Sequence, residues 1–414
     1  YWLHMENILP HKLSDFIRDY MQGIFRCSYP VASEANYKKL YGIFKNNFKG
    51  KNSQSLLQEL SGYSDIYKYV ISDSSCGNEN IDKQLSDLRK IKVTTSYSFV
   101  MMLMSEREQK KFTDVDIIDI LEAFNIYCLR RRIMGLTSGE NKVFPTLVNQ
   151  IKDLEQADDK KLKMFEILSK QESMLRLPND IELTRYMETM NFSNFQYCKF
   201  ILSLIEEKLT KNRPDLTDKK LQLEHIMPQK LNEKWKIDLG SNYDNIHQTY
   251  VNTIGNLTLI RHNQELGQKP FIEKKDIYEN HAGLQIARTK ITDKESWNED
   301  SIKERTNWMI EFLLEEVLPI PDQMRKVNNF NVKNIKGLSF QSLQLIGLDI
   351  NFIYDPTITA HVINDKEVEF EGTKWKLSPL TREIQTRRGA VNKSGAYQGA
   401  QYWEYDGIKL ADII

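Results

Sequence analysis

Leu223-Glu224-His225-Ile226-Met227-Pro228-Gln229 and Gly255-Asn256-Leu257-Thr258-Leu259 decide how this chain is read. The first is a short apolar segment that Pro228 brings to an end, with a histidine at the close of the strand. The second reads as a turn followed by a strand running to Ile260. Asn263 comes seven residues after Asn256. A histidine, a central asparagine and a further asparagine at a helix start form the set that one-metal phosphodiester hydrolysis requires. A base must take a proton from water, and a divalent cation must neutralise charge building on phosphate and leaving oxygen. Imidazole, with a reference pKa of about 6.5, is mostly neutral at neutral pH and suits the first task. Oxygen ligands suit the second, because Mg²⁺ is hard and octahedral.

Upstream of this pair the pattern is helical. Leu13, Phe16, Ile17, Tyr20, Met21 and Ile24 form one stripe at spacings of three and four between Leu13 and Phe25. Tyr37–Phe48, Val115–Cys128, Phe144–Leu154, Lys161–Ser169 and Phe195–Leu209 repeat the pattern. Thr113-Asp114-Val115-Asp116 gives one of these helices an acidic start. Residues 1–210 are therefore expected to form a helical region. Lys211-Asn212-Arg213-Pro214-Asp215 is a polar breaker that opens a second zone, 211–320. In it, Asn242–Asn252 reads as a polar loop, and Ser301–Val317 as an amphipathic helix. Pro270 interrupts a helix running toward Tyr278. Leu318-Pro319-Ile320-Pro321 starts a linker of unassigned structure, 321–357. From 358 to 414 strands and turns predominate, with Glu371-Gly372-Thr373 a turn and Asp406-Gly407 a hairpin signal. Ser378 is expected to cap a short helix that has Pro379 at its first position. The fold class is mainly α with α+β parts, ending in a small α+β domain.

Composition bounds the function classes. The chain has 414 residues, with 57 Lys+Arg against 57 Asp+Glu. Zero net charge excludes a histone-like polycation, although local patches still suffice to bind phosphate. Apolar residues at 40% and aromatics at 10% exclude a disordered chain. Cys27, Cys76, Cys128 and Cys198 are scattered, so neither a disulfide framework nor a zinc ribbon is expected. No apolar run reaches the roughly 18 residues of a membrane span, and the first residues carry charge rather than a signal peptide. A reducing cytoplasm follows as the expected compartment. The chain starts at Tyr1, which suggests a portion of a longer protein.

The segment from Glu224 to Tyr278 resembles the nuclease domain of GmrSD-type restriction endonucleases, a His-Me finger (ββα-metal) fold related to HNH nucleases. The matching residues are His225-Ile226-x-Pro228-Gln229, Gly255-Asn256-Leu257-Thr258-Leu259, Asn263, and Phe271 with Lys274 and Tyr278. Leu13-Ser14-Asp15-Phe16-Ile17-Arg18-Asp19-Tyr20, Lys39-Leu40-Tyr41-x-x-Phe44-Lys45 and Arg130-Arg131-Arg132-Ile133-x-Gly135-Leu136 resemble the helical region of the same proteins. The resemblance implies a bacterial, cytoplasmic, metal-dependent DNA endonuclease of a defence system, using Mg²⁺ or Mn²⁺. By it, His225 is the general base and Asn256 the asparagine that holds the loop and orients the histidine. Asn263 and Glu224 are metal ligands. An N-terminal NTPase-like domain or subunit is implied as a partner. Strand neighbours point to opposite faces, so Glu224 and His225 share a cleft only if the strand ends or bulges there.

Other residues admit two readings. Lys274 and His262 stand as DNA contacts or as solvated neighbours. Arg130-Arg131-Arg132 fans around a helix, so at least one is expected in a structural ion pair. A zinc site from His225, His247, His262 and His281 lacks paired spacing. Gly372–Leu380 and Ser394–Trp403 resemble small RAMA-type domains of restriction and modification systems, which implies a DNA-reading role. Lys374, Lys376, Arg382, Arg387, Arg388 and Lys393 against Glu383 give residues 373–393 a local charge of +5. Lys374, Lys376, Arg387, Arg388, Lys393 and an exposed Tyr397 are the expected DNA contacts there, while Trp375 and Trp403 suit a core. The rival functions are a catalytically inactive DNA- or partner-binding module and an RNA-directed nuclease. Oligomeric state is left open.

Overall fold

The structure is a computed structural model that describes residues 1–25, 41–42, 44–46, 48–50, 52–137, 139–171, 175–261, 266–325, 339–341, 343, 345–390, 397, 399–405 and 408–410. They form a mainly helical chain with one two-stranded hairpin and one six-stranded sheet, the fold class the sequence implies. Among them, no helix is long and apolar enough to cross a membrane. Cys76, Cys128 and Cys198 are free thiols.

Helices begin where short polar side chains satisfy the otherwise unpaired first amides. Asn78 accepts from the amides of Asn80 and Ile81 at the head of Glu79–Ile91. Thr113 and Asp116 form a reciprocal capping box for Asp114–Ile133, and Asn179 and Glu182 another for Asp180–Thr189. Leu13–Phe25 is one helix, as its stripe predicts. Half of the helix expected over Tyr37–Phe48 lies outside the described residues, and the described positions 41–42, 44–46 and 48 are helical. Phe144–Leu154 departs from expectation. It is a 3₁₀ helix over Phe144–Gln150, with Pro145 in its first turn, followed by a short α-helix over Ile151–Gln156. Asn242–Asn252 departs too, because Tyr243–Tyr250 is helical with Ile246 buried. A helix that short, with a single apolar anchor, leaves no periodic signal in the sequence.

Strand β1 (Gln222–His225) pairs antiparallel with β2 (Leu257–Ile260). The hairpin lies between two hydrophobic cores. Leu257 and Leu259 belong to a large core shared with the N-terminal helices, and Ile260 to a smaller one around Trp235, Phe271 and Trp297. The helical zone and the hairpin zone thus share packing across the breaker at 211–215. Arg130-Arg131-Arg132 reinforces this. Arg130 donates to the carbonyls of Pro178 (2.9 Å) and Leu318 (2.6 Å) and pairs with Asp180. Arg131 and Arg132 both pair with Glu140. All three are buried, so the structural reading of this run holds for each of them.

The C-terminal sheet has the order β6-β5-β4-β3-β7-β8. It comprises β3 (Asp349–Phe352), β4 (Asp355–Val362), β5 (Glu367–Phe370), β6 (Thr373–Lys376), β7 (Trp403–Tyr405) and β8 (Ile408–Lys409). Its core reaches back to Phe340, Leu345 and Ile350, so part of the stretch expected as linker builds the sheet. Glu371 and Gly372 both have positive φ (51° and 71°), as a two-residue hairpin turn between β5 and β6 demands. The helix here runs over Leu377–Arg387 and starts two residues earlier than expected. Ser378 does not cap it, because its hydroxyl accepts from the amide of Gly399 at 3.0 Å. Trp403 is fully buried, as expected, and donates to Thr381 Oγ1 at 2.9 Å.

Gly255 shows why the second motif begins with glycine. A Cβ there would stand 2.1 Å from Thr306 Oγ1, 2.5 Å from the Ile302 carbonyl and 2.7 Å from the Thr306 amide. The Glu299–Phe312 helix therefore crosses the start of β2 with room for hydrogen only. Gly255→Ala should lower stability by about 1–3 kcal/mol, since backbone on both sides resists displacement. Gly62, inside the Ser53–Ile71 helix with nothing within 4 Å, is the control. Gly62→Ala should raise stability by about 0.5–1 kcal/mol, and urea unfolding of both variants checks the contrast.

Candidate functional site

The register of the hairpin sorts its side chains. Glu224 lies opposite Thr258, and His225 opposite Leu257. Strand alternation sends Glu224 to one face and His225 to the other. The Phe271–His281 helix follows β2, so hairpin and helix succeed one another in the order ββα, with two short helices (Glu233–Leu239 and Tyr243–Tyr250) inserted between the strands.

His225 sits half-buried at the strand end. Its Nε2 lies 3.2 Å from Oδ1 of Asn252. That oxygen also accepts from Ser193 Oγ at 2.8 Å, and the Asn252 carbonyl accepts from the Phe192 amide at 2.8 Å. Gln229 Nε2 is farther from the ring nitrogen, at 3.5 Å. Burial pushes the His225 pKa below its ordinary value. The charge of Lys274 and the neighbouring His247 add to that, and the Asn252 bond opposes it. The ring is therefore neutral at neutral pH, the state a proton acceptor needs.

Asn256 is fully buried, and its amide is saturated. Oδ1 accepts from the Met227 amide (2.8 Å) and Trp297 Nε1 (3.0 Å). Nδ2 donates to the carbonyls of Met227 and Val251, each at 2.9 Å. Two donors and two acceptors exhaust an asparagine side chain. Asn256 accordingly fixes the backbone just after His225 and just before Asn252, and reaches the histidine through those segments rather than by touching the ring. Arg305 braces the same turn. It is wholly buried and donates to the carbonyls of Gly255 (2.7 Å), Leu257 (2.8 Å) and Ile286 (3.0 Å). Burial without a facing carboxylate brings its pKa down to about 9.

The structure corrects two expected roles. Lys274 is completely buried, so it is not a DNA contact. Its Nζ donates to Glu224 Oε1 at 2.6 Å and to the His225 carbonyl at 3.0 Å. Tyr278 donates to the same Glu224 oxygen at 3.2 Å. Glu224 thus faces the Phe271–His281 helix with Lys274 as its counter-ion, and not the side of His225 where a metal ligand would be needed. Burial raises the Glu224 pKa and lowers that of Lys274, each opposed by the charge of the other. Among the described residues, no group of three His, Cys, Asp or Glu side chains could hold a metal ion. His262, Asn263 and Lys393 lie outside the described residues.

The remaining expected DNA contacts lie in the C-terminal domain, where pairing alters the charge. Lys374 stands across the ladder from Glu369, and Lys376 from Glu367. Arg387 pairs with Glu371 (2.8 Å) and Glu383 (2.9 Å). The positive stretch seen in sequence is thereby offset by acids from the neighbouring strand and from its own helix. Tyr397 is 9% exposed and packs edge-on against Tyr402, contrary to the exposure expected for it. Arg388 remains exposed, its guanidinium 5.3 Å from the Phe352 ring centre and 5.8 Å from that of Tyr354.

Asn252 and Ser193 were not singled out by sequence reasoning. Asn252 lies four residues before Asn256 in a stretch read as loop, and Ser193 lies upstream of the expected domain start. Removing one partner of the buried Glu224–Lys274 pair should be costly. Lys274→Met should lose roughly 3–5 kcal/mol in chemical denaturation, whereas Glu224→Gln combined with Lys274→Met should recover most of it.

Residues 177–312 match the family model for GmrSD restriction endonucleases, C-terminal domain. No curated protein matches the chain. The matched span starts ahead of the breaker at 211–215 and ends with the Glu299–Phe312 helix. It includes every residue described above as supporting His225: Ser193, Asn252, Asn256, Lys274, Trp297 and Arg305. Over residues 177–312 the chain is therefore similar to the C-terminal domain of GmrSD restriction endonucleases.

Proposed function

We propose that this chain hydrolyses phosphodiester bonds of foreign DNA, with His225 as general base in a His-Me finger site. The observation that carries the reading is the state of His225. The ring stands at a strand end with Nε2 3.2 Å from Asn252 Oδ1 and with Nδ1 lacking a hydrogen-bond partner among the described residues, and burial lowers its pKa. A water at Nδ1 gives its proton to the ring as its oxygen attacks phosphorus, and the bond from phosphorus to the leaving oxygen breaks. Asn256 and Arg305 contribute rigidity, because they fix the two backbone segments that carry His225 and Asn252.

The reading includes Mg²⁺ or Mn²⁺, since charge on the departing oxygen needs a counter-charge. The donor set of the described residues does not fit such an ion: Glu224, the carboxylate adjoining His225, already faces Lys274. Asn263 is outside the described residues, and the metal requirement rests on the EDTA arm of the test. The same geometry favours one second reading, a catalytically inactive module that docks DNA or a partner. The C-terminal sheet would present Arg388 and Tyr354 to DNA, and nucleotide control by an NTPase-like domain or subunit completes the proposal.

The deciding experiment compares wild type and His225→Ala on supercoiled plasmid, modified phage DNA and RNA, with Mg²⁺, Mn²⁺ or EDTA, and with and without nucleotide. Wild type should cut DNA in metal, and the variant should be slower by about 10²–10⁴-fold with folding and DNA binding retained. No cutting by wild type under any condition would replace this reading with the docking module, and preference for RNA would overturn the choice of substrate. The lowered His225 pKa also sets a pH dependence. The rate should hold through neutrality and fall only as pH drops below the ordinary imidazole value of 6.5, where the base becomes protonated.

A further inference from the structure

We propose that Asn252, backed by Ser193, is the positioning residue that sets the tautomer of His225 and so makes Nδ1 the proton acceptor. The inference rests on the nuclease reading for its catalytic consequence, but its structural content stands apart from it. A neutral imidazole has one donor nitrogen and one acceptor nitrogen. Asn252 Oδ1, an acceptor only, lies 3.2 Å from Nε2, closer than the competing Gln229 Nε2 donor at 3.5 Å, so the ring proton sits on Nε2 and Nδ1 keeps its lone pair.

Two contacts place the backbone at Asn252 and one holds its side-chain amide. Its carbonyl accepts from the Phe192 amide at 2.8 Å, and Ser193 Oγ donates to its Oδ1 at 2.8 Å. The Val251 carbonyl next to it is held by Asn256 Nδ2 at 2.9 Å. Asn191 Oδ1, 3.0 Å from the same hydroxyl, is the more distant of the two acceptors that share its single proton. The site therefore extends upstream of the hairpin to the segment around residues 191–195. Turning the Asn252 amide over would present its NH₂ group to Nε2, move the ring proton to Nδ1 and remove the base.

The test uses the full chain with ¹⁵N-labelled histidine. The chain has seven histidines, and His225→Gln identifies the signal that belongs to this ring. Long-range ¹H–¹⁵N spectra should show Nε2 protonated and Nδ1 bare. Asn252→Leu removes the acceptor while leaving the backbone bond to Phe192 available. It should abolish the tautomer preference and lower kcat by about 10–100-fold with KM little changed. Asn252→Asp keeps an acceptor at the same place and should retain the Nε2–H form and most of kcat, which a purely structural role would not predict. Ser193→Ala should give an intermediate loss.

A proton on Nδ1 in the wild type would overturn the inference, as would an unaltered tautomer and kcat in Asn252→Leu. Should Asn252→Leu not fold, wild type, Asn252→Asp and Ser193→Ala still decide it by their spectra. The expected tautomer without cleavage of any DNA would sink the nuclease reading alone. Cleavage with the opposite tautomer would sink this inference alone.

Discussion

The amide of Asn256 and the guanidinium of Arg305 hold the turn on which the rest of the site depends. Between them they engage the carbonyls of Met227, Val251, Gly255, Leu257 and Ile286 and the amide of Met227. Each would cost free energy if buried without a partner, so the turn has one arrangement that satisfies everything at once. That arrangement requires the Glu299–Phe312 helix to lie almost on the backbone, which is why residue 255 has no side chain. His225 and Asn252 hang from the two fixed segments, and their 3.2 Å contact is a consequence of the turn rather than an independent feature.

Buried cations recur as cross-braces throughout the molecule. Arg130 ties the Asp114–Ile133 helix to residues 178–180 and 318. Arg131 and Arg132 share Glu140, Lys274 holds Glu224, and Arg305 relies on carbonyls alone. Taking a charge out of water is costly, and these groups remain because every one is met by oxygen. Their collective effect is to join the helical region, the hairpin and the following helices into shared packing. The family match begins at residue 177, inside that packing.

Much of this was legible beforehand. The helical zone, the β-rich C-terminus and the turn-plus-strand at 254–260 follow from periodicity and from glycine and proline placement. His225 and Asn256 were legible as a pair through their spacing and neighbours. Other features were not. The Tyr243–Tyr250 helix has too few turns to show a period. The basic stretch at 373–393 looks like a phosphate-binding strip until the β5–β6 register sets Glu369 and Glu367 across from Lys374 and Lys376. Lys274 and Glu224 looked like separate functional candidates, and burial made them partners.

The sequence by itself determined which local structures form, because capping residues, apolar spacing and turn residues act over a few positions. It also determined that a histidine closes a strand beside a glycine-asparagine turn. The tertiary structure alone decided what each polar side chain does. A donor's role depends on which acceptor arrives from a distant segment: Asn252 for His225, Glu224 for Lys274, Met227 for Asn256. Strand alternation then divides Glu224 from His225, although both faces of the hairpin also pack, Leu257 and Leu259 into one core and Ile260 into the other.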